Sequence, residues 1–181
     1  PYTTLFRSMP TIESYLSSLL RLFVIENVDS WNTNIRSRTS ISSLPKRIFV
    51  DPSFAVASLA LTPQDLLMDL HTYGFMFENL CIRDLKIYLN DLSGEIRYYR
   101  DRTGLEVDIV LTIDNDKYAL IECKLGSSGI EEGAEHLIKL ESIISTHGLN
   151  KPTFKMILTG GDVAYTRKDG VHVVPITCLG P

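Results

Sequence analysis

The stretch Tyr98-Tyr99-Arg100-Asp101-Arg102-Thr103-Gly104-Leu105-Glu106-Val107-Asp108-Ile109-Val110, followed by Tyr118-Ala119-Leu120-Ile121-Glu122-Cys123-Lys124, decides how this chain folds. Both halves alternate with period two, which predicts β-strands with unlike faces. In the first, Leu105, Val107, Ile109, Leu111 and Ile113 share one face, with Glu106 and Asp108 on the other. In the second, Ala119, Ile121 and Cys123 oppose Glu122 and Lys124. Asp114-Asn115-Asp116 between them suits a hairpin turn. With those residues as the loop, Ile113 pairs with Lys117, Asp108 faces Glu122 and Glu106 faces Lys124. Directly opposed side chains have Cβ atoms roughly 4.5–5.5 Å apart, so three carboxylates and a lysine crowd one patch. Like charges at that spacing repel. A divalent cation resolves the conflict, since hard cations prefer clustered oxygen ligands. The plainer alternative is the solvated side of a half-buried sheet, and Glu-x-Lys alone fixes only two residues.

Upstream of the hairpin, the spacing predicts a helix from Gly74 to about Leu92, with Phe77, Cys81, Leu85, Tyr88 and Leu92 as its buried stripe. Glu78 lies beside that stripe, and a half-buried carboxylate needs a partner. Ser93-Gly94 ends the helix, residues 95–101 form a strand, and Arg97, Arg100 and Arg102 cluster near Glu106 and Asp108. Arg100 and Arg102 can contact phosphates, although an exposed turn explains them equally well. Downstream, Gly126-Ser127-Ser128-Gly129 leads into a helix over 130–145, closed by His147-Gly148. A buried strand over 154–159 follows, then a terminal hairpin from 163–166 and 171–176. This order is one mixed α/β core.

Toward the N-terminus, Ile12, Tyr15, Leu16, Leu19 and Phe23 follow helical spacing, and residues 24–28 read as a short strand. A helix followed by a small strand can end a winged helix or serve as a packing element. Residues 31–45, including Arg36 and Arg38, have loop composition. Residues 46–51 read as a strand and 52–60 as a short helix. A further helix begins at Thr62-Pro63-Gln64-Asp65, with Thr62 as its N-cap. Pro1-Tyr2-Thr3-Thr4-Leu5-Phe6-Arg7-Ser8 looks like the translation of a sequencing-adapter oligonucleotide before Met9 and is set aside. The expected division is 1–8 artefact, 9–45 winged-helix remnant and loop, and 46–181 the domain whose resemblance is given below.

The composition, 44% hydrophobic and 22% charged over 181 residues, is globular rather than disordered. A net charge of −4 gives no global pull toward nucleic acid, so such binding needs a local patch. Cys81, Cys123 and Cys178 are widely spaced in apolar patterns and read as core residues of a reduced, cytoplasmic protein. No run of about 18 apolar residues suggests a membrane span. The four histidines, His71, His136, His147 and His172, show no ligand spacing.

A helix bearing Glu78, strands bearing Asp108 and Glu122-Cys123-Lys124, a helix and a buried strand resemble the PD-(D/E)XK nuclease-like (restriction-endonuclease-like) fold. One departure is Val107 where a proline often precedes the first acid. The segments 74–80, 99–108 and 121–126, with 15–31 and 49–53, also resemble an uncharacterised domain found at the C-terminus of many bacterial and archaeal AAA+ ATP-binding proteins. The resemblance implies Mg²⁺ or Mn²⁺ held by Asp108, Glu122 and the Cys123 backbone carbonyl, with Glu106 as a further ligand. It implies catalytic roles for Asp108, Glu122, Lys124 and Glu78, and DNA as partner. It also implies an AAA+ ATPase domain outside this sequence, which has no G-x-x-x-x-G-K-[S/T] loop of its own. The alternative is a catalytically silent module for partner recognition, oligomerisation or coupling to that ATPase.

Overall fold

The structure is a computed structural model that describes residues 9–32, 44–113 and 117–180. The adapter-like residues 1–8, the Arg36 and Arg38 pair and the 114–116 turn lie outside the described residues. In chain order come α1 (Met9–Arg21), β1 (Ile25–Val28), β2 (Lys46–Phe49), α2 (Ser53–Ser58), α3 (Pro63–Met68) and α4 (Leu70–Tyr88). Then follow β3 (Gly94–Arg100), β4 (Glu106–Ile113), β5 (Lys117–Lys124), α5 (Ile130–Thr146), β6 (Phe154–Thr159), β7 (Tyr165–Thr166) and β8 (His172–Pro175). None of the described helices is long and apolar enough to cross a membrane.

Six strands form one mixed sheet in the order β3-β4-β5-β6-β8-β7. β3, β4 and β5 are antiparallel neighbours, whereas β6 runs parallel to both β5 and β8. The parallel β5–β6 pair requires a crossover, which α5 supplies. Helices cover both faces. Phe77, Cys81, Ile82 and Leu85 of α4 pack with Ile109, Leu111, Ile121 and Leu158 on one side. Ala134, Leu137, Leu140 and Ile144 of α5 pack with Val107, Val110, Leu120 and Ile157 on the other. Burial on both faces is why β5 and β6 read as near-continuous apolar runs.

The structure revises several boundaries. α4 begins at Leu70 rather than Gly74, because the Asp69 carboxylate accepts the Thr72 amide at 3.1 Å and caps the first turn. It ends at Tyr88, which leaves Leu92 outside the helix and 55% exposed. α1 stops at Arg21, and Phe23 takes a left-handed conformation with φ +55°. β2 pairs with β1, so segments on either side of residue 45 share a two-stranded sheet. Cys178, expected in the core, is exposed.

The largest revision is on β4. Arg97 pairs with Val110 and Tyr99 with Val107, so Tyr98 alone stands opposite both Asp108 and Ile109. That is a β-bulge, which inserts one residue and resets the side-chain alternation. Val107 therefore packs on the α5 side and Ile109 on the α4 side, although sequence parity assigned them one face.

Candidate functional site

The β4–β5 ladder runs from Ile113 paired with Lys117 to Ile109 paired with Ile121, as the three-residue loop required. Beyond that rung the Asp108 carboxylate accepts the Cys123 amide at 2.9 Å. A side chain thus satisfies a backbone donor at the mouth between two parting strands, which places the Asp108 carboxyl between the two faces of the sheet.

Because of the bulge, the expected acids do not crowd a single face. Glu106 does not lie against Lys124; it is 3.2 Å from Lys46 and 3.8 Å from Arg100. On the α4 side, Lys46 Nζ sits 2.5 Å from Glu78, 3.2 Å from Glu106 and 3.8 Å from Asp108. Burial and the neighbouring Asp108 raise the pKa of Glu78, against the pull of Lys46. Burial alone would lower the Lys46 ammonium, but Glu78, Asp108 and Glu106 outweigh it and the net direction is upward.

On the α5 side, Glu122 is 2% exposed and bonded to Lys124 at 3.0 Å, with His136 Nδ1 at 3.3 Å from its other oxygen. Burial first, and then the adjacent Asp108 carboxyl, push Glu122 up to about 9, against Lys124. The Asp108 carboxyl is close enough to raise the pKa of Glu122, so the two acids are neighbours although they start from opposite faces. Lys124 lies along α5 because Gly133 leaves room: a Cβ there would come 3.1 Å from Lys124 Cε and 3.5 Å from Glu122 Cβ. The Cys123 side chain turns the other way, toward Cys81, whose hydrogen bond together with burial raises its thiol pKa.

These groups open into a cavity of about 820 Å³ whose walls include Glu78, Asp108, Lys124 and Glu132, with Leu70 and Phe75 at the rim. Its three carboxylates, Glu78, Asp108 and Glu132, offer the oxygen atoms that a hard cation prefers. Among the described residues, however, no group of three or more His, Cys, Asp or Glu side chains is gathered closely enough to hold a metal ion. Of the expected ligands, Asp108 and Glu122 are near enough to interact, and Glu78, Glu106 and Asp108 all lie within 3.8 Å of Lys46 Nζ.

Two residues of the site carry no sequence signal. Lys46 arrives on β2, which Asn79 of α4 holds by accepting the Phe49 amide at 2.8 Å and donating to the Phe49 carbonyl at 2.7 Å. His136 stands on α5 without ligand spacing. Arg102, in contrast, is exposed at the turn.

No curated protein and no solved structure matches the chain. Residues 3–65 match a domain of unknown function, DUF8612. Residues 73–179, more than half of the chain and including β4, β5, α5 and all but the first turn of α4, match a second, and on that match the protein belongs to the domain-of-unknown-function family DUF4143.

Proposed function

We propose that this chain carries a PD-(D/E)XK-type site for divalent-cation-dependent phosphodiester hydrolysis of DNA, in a protein whose AAA+ ATP-binding portion lies outside this sequence. The observation that carries the reading is the Asp108 carboxylate, bonded to the Cys123 amide where β4 and β5 part and adjacent to the Glu122–Lys124 pair. A fold stabilised by its cores alone has no need of two neighbouring carboxyls at the end of a ladder.

Asp108, Glu122 and the Cys123 carbonyl would hold Mg²⁺ or Mn²⁺, which supplies Lewis acidity and lowers the pKa of a bound water. Lys124, 21% exposed and reaching the cavity, would offset negative charge developing on a phosphate there. Glu78 would orient or deprotonate water from the α4 side, and Glu106 with Arg100 would border the phosphate path.

The test is cleavage of plasmid and single-stranded DNA with Mg²⁺ or Mn²⁺ by the parent chain, Asp108→Ala and Lys124→Ala. Each variant should lose about 100-fold or more in rate. Equal rates in all three would refute the reading. A catalytically silent module for partner recognition, oligomerisation or coupling is the second reading. It draws on Lys46 beside Glu78 and Lys124 beside Glu122, partners that already satisfy acids of the site, and it is the one left standing if no cation-dependent cleavage occurs.

A further inference from the structure

We infer that Lys46 is a tethered counter-ion that keeps the acid cluster closed to divalent cations, and that its ammonium must leave before one binds. This rests on the cation-dependent reading above. Two elements deliver three carboxylates to one nitrogen: Glu78 from α4 at 2.5 Å, and from β4 both Glu106 at its start, at 3.2 Å, and Asp108 at the bulge, at 3.8 Å. Asp108 is also the residue bonded to the Cys123 amide and the neighbour that raises the Glu122 pKa. A cation approaching Asp108 therefore meets an ammonium already in place. Two positive charges at such spacing repel, and they compete for the same oxygens.

The ammonium is built to yield. It carries a single charge among three carboxylates, on a flexible four-carbon stem. Its side chain is 22% exposed, so an outward path exists. The Tyr98 ring, with its centroid 5.8 Å from Nζ, offers a second resting place through cation–π attraction. β2 itself need not move, because Asn79 holds the Phe49 backbone at the far end of the strand. Lys46 thus acts on cation affinity, and its removal should tighten binding, whereas removal of a ligand should weaken it.

The experiment is Mn²⁺ titration by calorimetry of the parent chain, Lys46→Met and Lys46→Arg, with folding checked by circular dichroism. Lys46→Met should bind Mn²⁺ at least about tenfold more tightly than the parent, and Lys46→Arg should stay near the parent. Equal or weaker binding by Lys46→Met, with the parent still binding, overturns the inference alone. No binding by any of the three overturns the cation-dependent reading and the inference with it. A second measurement keeps the native lysine: amine acylation of the parent, read by mass spectrometry, should modify Lys46 several-fold faster at saturating Mn²⁺ than in EDTA. Unchanged protection at saturation overturns the inference even if Lys46→Met does not fold.

Discussion

Glu122 governs how the cation-free protein responds to pH. Its carboxyl is 2% exposed, and burial with the adjacent Asp108 raises it to about 9 from an ordinary 4.5. Between those values the folded chain keeps a proton that the unfolded chain has released. The folded state is therefore the one that binds more protons, and stability falls as pH rises across that window. Below 4.5 both states are protonated and the contribution vanishes. Glu122→Gln keeps hydrogen-bonding capacity but cannot ionise, so its stability should lack this slope. Melting followed calorimetrically in EDTA from pH 5 to 9 should show the parent losing stability relative to Glu122→Gln by on the order of 1–3 kcal/mol. A gap that stays constant or closes with pH would show that Glu122 is ionised throughout.

Asn79 is the element-scale hinge of the site. α4 and β2 meet through its buried amide, which forms both hydrogen bonds to Phe49. Without it, the Phe49 amide and carbonyl lose their partners beside the helix, and β2 is released from α4. Asn79→Ala should cost about 2–3 kcal/mol in urea unfolding at neutral pH, because both backbone groups are left unpaired. Asn79→Asp should retain the bond from the Phe49 amide and fall between that variant and the parent. The β4 bulge works at the same scale. Tyr98 opposes two residues there, and its own amide and carbonyl turn to Asp29 and Trp31 instead (3.1 and 2.6 Å). Period-two reading assigned Val107 and Ile109 one face, because an inserted residue has no signature in side-chain type. It shows only when β3 is laid against β4.

Two cores on opposite faces of one sheet bind the molecule into a cooperative unit. β4 and β5 contribute to both: Ile109 and Ile121 to the α4 side, Val110 and Leu120 to the α5 side. Neither core can melt while the shared strands stay paired, so unfolding should be two-state. Trp31 is the single tryptophan. It packs against Tyr99 and Tyr118 with ring centroids 6.3 and 5.3 Å away, and so reports on the β3 edge and the end of β5. Its fluorescence and the far-ultraviolet circular dichroism should give coincident urea transitions. An earlier fluorescence transition would mean that the segment after β1 separates from the sheet first.

The amino-acid sequence alone determined the strands, their hairpin register and the helices on either side, because alternation, a three-residue loop and 3.6-residue spacing are local properties of a chain. It also brought Glu78, Asp108, Glu122 and Lys124 into one neighbourhood. Only the tertiary structure decided which side of the sheet each acid leaves from, since the bulge belongs to a pair of strands. Only it delivered Lys46, 32 residues from Glu78 in sequence, into the same cluster. That approach depends on a buried amide holding β2 to α4, a contact between distant segments that neither segment's composition encodes.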